Sequence, residues 1–193
     1  MTIKKIYHLA DIHIRNLQRH KEYRQVFEKF IQQVKDDGIE DSIIYIAGDI
    51  AHAKTEMSPE LVAEISWFLT ECANLREVVI IAGNHDCNLN NKSRLDVLTP
   101  IISNLNNPKI NYLRDTGVYP IHNCTFVVYS ILDHKDNWPS GKDFDGENKI
   151  CLFHGPVNKA ETDIGYTVSS NSFTPDMFDG FDMALLGDIH RRQ

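Results

Sequence analysis

The sequence predicts an α/β protein built as a two-sheet sandwich, and three observations carry that expectation. The first half alternates short apolar runs with stretches of helical periodicity. The second half turns to short apolar runs separated by turns. Five runs are followed at once by polar clusters: Asp11-Ile12-His13, Gly48-Asp49-Ile50-Ala51-His52, Gly83-Asn84-His85-Asp86, His154-Gly155 and Gly187-Asp188-Ile189-His190.

Residues 3–10 read as a first strand that stops at Asp11. Residues 20–37 place Tyr23, Val26, Phe27, Phe30, Ile31 and Val34 at helical spacing, and Gly38 is the stop. Residues 42–47 form an unbroken apolar run, as in a strand covered on both faces. A second helix opens with Ser58 as N-cap and Pro59 at its first position, and runs to about Asn74. Residues 77–82 make a third buried strand. This alternation is the signature of a parallel sheet. Residues 110–113, 118–121, 124–131, 149–153 and 181–186 follow as strands, with polar loops at 133–148 and 155–176.

A chain of 193 residues suits one large domain with a sizeable core. Its 42% hydrophobic and 24% charged residues are those of an ordinary globular protein. No apolar run approaches the roughly 20 residues that span a bilayer, and the N-terminus lacks a signal-peptide core. A cytoplasmic location is the expectation, or nuclear in a eukaryote. Cys72, Cys87, Cys124 and Cys151 form no CxxC pair and read as buried free thiols. The net charge of −7 excludes a wholesale polybasic nucleic-acid binder. It does not exclude a nucleic-acid enzyme, because two divalent cations return about four positive charges at the site. The basic clusters Arg15, Arg19 and Lys21, and Arg191 and Arg192, read as solvated surface.

The five polar clusters hold five of the nine histidines. In open α/β sheets, sites form in the crevice beyond the carboxyl ends of the strands. Asp11, Asp49, Asn84, His154 and Asp188 all follow such an end. Asp-x-His offers a carboxylate and an imidazole to one ion, and a carboxylate such as Asp49 can bridge two ions roughly 3.5–4 Å apart. The donor set is oxygen and imidazole without thiolate, which points to a hydrolytic Mn, Fe or Zn site rather than a structural zinc. His8 reads as packed within its strand, and His20, His122 and His134 as surface residues. Asp86 reads as a residue that orients His85 or holds its turn, and Cys87 as packing.

In this order, the clusters resemble the calcineurin-like metallophosphoesterase superfamily over nearly the whole chain. That resemblance implies a four-layer α-β-β-α sandwich. Gly48-Asp49-Ile50-Ala51-His52 followed by Ser58-Pro59, Ala82-Gly83-Asn84-His85-Asp86 and Leu152-Phe153-His154-Gly155 are most similar to the nuclease subunit of SbcCD-type complexes. The protein phosphatase branch reads Gly-Asp-x-Val-Asp-Arg-Gly and Gly-Asn-His-Glu, and the chain has neither.

The resemblance implies that Asp11, His13, Asp49 and His190 hold a first metal. Asp49 would bridge to a second, held by Asn84, His154 and Asp188. His85 would be catalytic and His52 would assist beside the scissile phosphate. Two divalent ions are implied, manganese first, with magnesium, iron or zinc as alternatives. The implied partners are DNA, an SMC-like ATPase subunit of the SbcC type in the full-length protein, and a second copy docking through residues 58–74 or 93–105.

The last cluster departs from the family, which usually reads Gly-His-x-His where this chain has Gly187-Asp188-Ile189-His190. Gln193 follows three residues later, so residues 1–193 are expected to be the nuclease domain of a longer protein, without its capping and partner-binding regions. The expected activity is two-metal hydrolysis of DNA phosphodiesters in repair or recombination, by an exonuclease or endonuclease. The alternatives are a small-molecule phosphodiesterase or phosphatase, suggested by the acidic charge, and a non-catalytic scaffold, suggested by Asp188 alone.

Overall fold

The computed structural model describes residues 1–169 and 173–190. Strands β1 (Lys5–Leu9), β2 (Ser42–Ile46), β3 (Glu77–Ile80) and β4 (Ile110–Tyr112) form one parallel sheet in sequential order. Parallel neighbours need a crossover, and here each is a helix: α1 (His20–Asp37), α2 (Pro59–Leu75) and α3 (Leu98–Leu105). Because the strand order never reverses, same-handed crossovers stack all three helices on one face.

Strand β2 is buried along its whole length and shows why its sequence is apolar without alternation. Ile44 and Ile46 pack toward the helices with Phe27, Leu61, Ile65 and Phe68. Ile43 and Tyr45 point the other way, into the second sheet.

That second sheet holds β5 (Gly117–Ile121), β6 (Cys124–Tyr129), β7 (Lys149–His154) and β8 (Met183–Gly187), in sequential order. The β5–β6 hairpin is antiparallel and the other pairs are parallel. Phe126, Val128, Ile150 and Leu152 face the first sheet. Val127, Tyr129, Cys151 and Phe153 face outward beneath Trp138, Phe173, Phe178 and Phe181. The expected two-sheet α/β sandwich is therefore what forms. Among the described residues, its outermost layer consists of loops and two short 3₁₀ turns, Lys135–Asn137 and Pro175–Phe178.

Local signals explain the boundaries. Gly38 ends α1 at φ 66°, its N–H donating to the Lys35 carbonyl. Ser58 Oγ accepts from Leu61 N–H at 3.2 Å and opens α2. Arg24 ties α1 to α2, donating to both Glu64 oxygens (3.0 and 2.6 Å) beneath the Trp67 ring. Helix α3 was expected only as a docking candidate. Its start is fixed by buried Asp96, which accepts from Leu98 N–H (3.0 Å), Thr99 N–H (2.7 Å) and Arg114 Nε (2.7 Å). All four cysteines are buried and free. No helix among the described residues is long and apolar enough to cross a membrane. The expected basic pair Arg191 and Arg192 lies outside the described residues.

Candidate metal centre

Parallel register brings the carboxyl ends of β1, β2, β3, β7 and β8 to one edge of the sandwich, where the five clusters meet. The loops after β1 and β2 run side by side: His13 N–H donates to the Asp49 carbonyl at 2.9 Å and His52 N–H to the Ile14 carbonyl at 3.0 Å. Four of the expected ligands bend there through the left-handed region, with φ 54° at Asp11, 50° at His13, 53° at Asp49 and 86° at Asp188. Asp and His tolerate this conformation better than most residues, at a cost of roughly 1–3 kcal/mol each. The backbone strain is thus concentrated where the side chains must converge.

Close backbone approach does the rest. Gly48 turns at φ 82°, and a Cβ there would lie 2.5 Å from Gly83 N. A Cβ on Gly83 would collide with the Asp49 carboxylate. The loops are also clamped by Asp86, which is 0% exposed: Oδ1 accepts from Ala51 N–H and Oδ2 from Gly83 N–H, both at 3.0 Å. Burial pushes its carboxyl up to about 7 against the pull of those two donors. Asp86 therefore holds the turn. The orientation of His85 comes from elsewhere, because its Nδ1 donates to the His52 carbonyl at 2.6 Å. That bond leaves His85 Nε2 as the nitrogen able to exchange a proton with a ligand.

Besides the imidazoles of His13, His52 and His85, which lie within reach of one another, two donor groups result. In one, His154 Nδ1 donates to the Ala47 carbonyl at 2.5 Å, and Nε2 faces Asn84 Oδ1 (3.0 Å), Asp49 Oδ2 (3.4 Å) and Asp188 Oδ1 (3.9 Å). In the other, His13 Nε2 lies 3.2 Å from His190 Nε2 and 3.6 Å from Asp49 Oδ2, and His190 Nε2 lies 3.8 Å from Asp11 Oδ1. Ligands bound at roughly 2.1 Å to one ion are separated by about 3.0–3.4 Å, close to these spacings. Asp49 Oδ2 lies near both groups, a position from which it could bridge two ions. The other Asp49 oxygen accepts from His85 N–H at 2.8 Å.

Charge follows the same geometry. Burial alone would raise the Asp49 carboxyl, but the hydrogen bond and charge of His154, the His85 N–H and His13 outweigh it and hold it below the usual range. Burial would likewise lower His154, and its hydrogen bond and ion pair with Asp49 reverse that, to about 9. Burial lowers His13, which Asp49 only partly offsets. Burial raises Asp188, with Asp11 and Asp49 adding to the effect and His154 opposing it. His13 Nδ1 and His52 Nδ1 are buried without a hydrogen-bond partner among the described residues. The donors present, carboxylate, amide oxygen and imidazole, suit a pair of divalent cations, whose binding would displace the His154 Nε2 proton.

All nine residues expected at the site are brought to this edge. His52 and His85 stack at its rim, ring centroids 5.6 Å apart, and His85 meets His13 edge-on at 4.7 Å. His8 is packed against Tyr45, His20 bonds the Arg15 carbonyl and His122 pairs with Glu77. The carbonyls of Ala47 and His52, which aim two of the imidazoles, had no sequence signal, because any residue supplies a carbonyl.

A family model described as calcineurin-like phosphoesterase matches residues 4–192. The chain belongs to that family. A metal-dependent phosphoester hydrolase is what the family implies, with a divalent-metal centre of the kind these donors provide. The calcineurin-like chain is 44% identical, over 99% of its length, to the "Uncharacterized protein R555" of Acanthamoeba polyphaga mimivirus, and spans 15% of that protein. Among solved structures, it is similar to the nuclease MPE of Pseudomonas putida at 15% identity. That alignment has a TM-score of 0.43 and covers 85% of this chain and 67% of the other.

Proposed function

We propose that this calcineurin-like domain is a two-metal phosphodiesterase that cleaves DNA, a nuclease of the SbcCD type. The observation that carries the reading is the shared Asp49 carboxylate between two donor groups, with the His52–His85 pair on their rim. Asp11, His13, Asp49 and His190 would hold one ion, and Asp49, Asn84, His154 and Asp188 the other. When bound, the two ions, manganese by preference, neutralise a phosphodiester and activate water toward it. His85, its Nδ1 tied to the His52 carbonyl, presents Nε2 to protonate the departing oxygen or stabilise the charge that develops. His52 lines the same rim and steadies the phosphate. The branch-like sequence around His52 and His85 supports DNA as the substrate, as do exposed Arg15 and Lys54 beside the rim. An SMC-like ATPase of the SbcC type is the proposed partner.

The test is cleavage of single- and double-stranded DNA with added manganese, by the wild type and His85→Ala. Loss of cleavage in the variant, with metal content unchanged, supports the reading. Cleavage that survives His85→Ala, or that no divalent metal elicits, overturns it. The net charge of −7 favours a second reading, a small phosphodiester. A chromogenic diester turned over faster than DNA, with no salt-dependent DNA affinity, would establish that reading instead.

A further inference from the structure

Beside the donor groups lies a cleft of about 540 Å³, of a size that holds a small organic ligand. One end is formed by Asn84, His154 and Asp188, the residues of the second donor group. The cleft is therefore continuous with the place where a phosphodiester would sit. Away from that end its walls turn apolar, with Leu89, Ile131, Trp138, Pro156 and Phe173.

The wall is already in place. Trp138 stacks on Tyr129 at 4.7 Å and 9°, meets Phe153 edge-on at 5.4 Å and lies 5.8 Å from Phe173. Its indole N–H is used by the Ser130 carbonyl at 3.3 Å. Leu89 is in the same lining and is 41% exposed. The rest of the polar lining, Asp133, His134 and Lys135, is of mixed sign, and the apolar walls offer a flat ring the larger contact.

We infer that this cleft takes the base of the nucleotide adjoining the scissile phosphate, unstacked from its neighbours. The inference rests on the phosphodiesterase reading of the metal centre. It narrows the substrate to single strands, ends or flipped nucleotides, because a base held inside a duplex cannot enter. The walls offer ring contacts to the base, while the indole N–H of Trp138 is held by the Ser130 carbonyl.

The experiment compares short single-stranded DNA with the same strand carrying an abasic residue on either side of the cut, in manganese. For the wild type, kcat/KM is expected to fall about tenfold at one of the two positions, the scale of one lost stacking contact. In Leu89→Ser, and separately in Ile131→Ser, that ratio is expected to shrink toward one, with two manganese ions still bound. A 2-aminopurine base at the same position, held uncut on His85→Ala, reports stacking by its quenched fluorescence, which the added Leu89→Ser change should relieve. No abasic penalty at either position overturns the inference. So does a penalty that both wall variants retain. If no diester is cleaved at all, the phosphodiesterase reading falls, and the aminopurine signal alone decides whether a base enters the cleft.

Discussion

Asp86→Ala isolates the clamp beneath the metal centre. The wild-type carboxylate is fully buried and satisfies two backbone donors, Ala51 N–H and Gly83 N–H, each at 3.0 Å. Alanine orphans both, and a buried unsatisfied N–H costs about 1–3 kcal/mol, so the pair amounts to about 2–6 kcal/mol. Part of this is offset, because the variant no longer holds a carboxyl out of water. A net loss of about 3 kcal/mol is expected, which lowers a urea midpoint by about 1.5 M for a slope near 2 kcal/mol per M. The functional consequence is separate. Ala51 lies between Asp49 and His52, and Gly83 precedes Asn84, so unclamping loosens candidate ligands from both donor groups. Manganese affinity by titration calorimetry is expected to fall about 10–100-fold, the usual effect of losing a residue that supports metal ligands. A midpoint within about 0.5 M of wild type refutes the clamp as a source of stability. An unchanged manganese affinity in a destabilised variant refutes its positioning role.

Gly83→Ala places a Cβ against the Asp49 carboxylate, and a loss of about 3 kcal/mol in thermal or urea unfolding is expected, with manganese stoichiometry below two. Asp188→His removes a negative oxygen donor from the second group and supplies the imidazole that the family usually carries. Competition titrations should show zinc gaining on manganese by on the order of tenfold. Asp96 is held below the usual carboxylate range: burial would raise it, but Arg114 and the Thr99 donors outweigh that. Its folded value lies below its unfolded value. Its stabilisation is therefore present above about pH 4 and lost as pH falls through the folded value. Asp96→Asn should flatten the acid limb of the stability–pH curve and cost about 1–2 kcal/mol at neutral pH, read by urea unfolding at each pH.

The sequence by itself determined the strand-and-helix order of the first half, because β2 and β3 are buried on both faces and their apolar runs are unbroken. It determined the ligand types too, since Asp, Asn and His after a strand end are rare enough in such an ordered set to mark a site. Some strand ends were read one or two residues long, as at residues 3–10 against Lys5–Leu9, because apolar residues continue past the last ladder bond, while β7 and β8 run one residue further than read, to His154 and Gly187, whose backbones still pair. Helix α3 was expected only within the docking candidate 93–105 and begins later, at Leu98, its eight residues being too short for periodicity to stand out and its start depending on an arginine 18 residues from Asp96.

Tertiary structure alone decided how the residues share their work. That Asp49 faces both His13 and His154 depends on the packing of two sheets, not on spacing within either. The aim of His85 and His154 is set by main-chain carbonyls, which carry no side-chain identity. Asp188 shows both levels together. Its place in the last cluster was legible as a departure from the family, and the turn after β8 then sets its carboxylate 3.9 Å from His154, in the second donor group. The aromatic cleft beside it joins Leu89 to Trp138 and Phe173, which are far apart in the chain and become neighbours only when the loops fold over the outer sheet face.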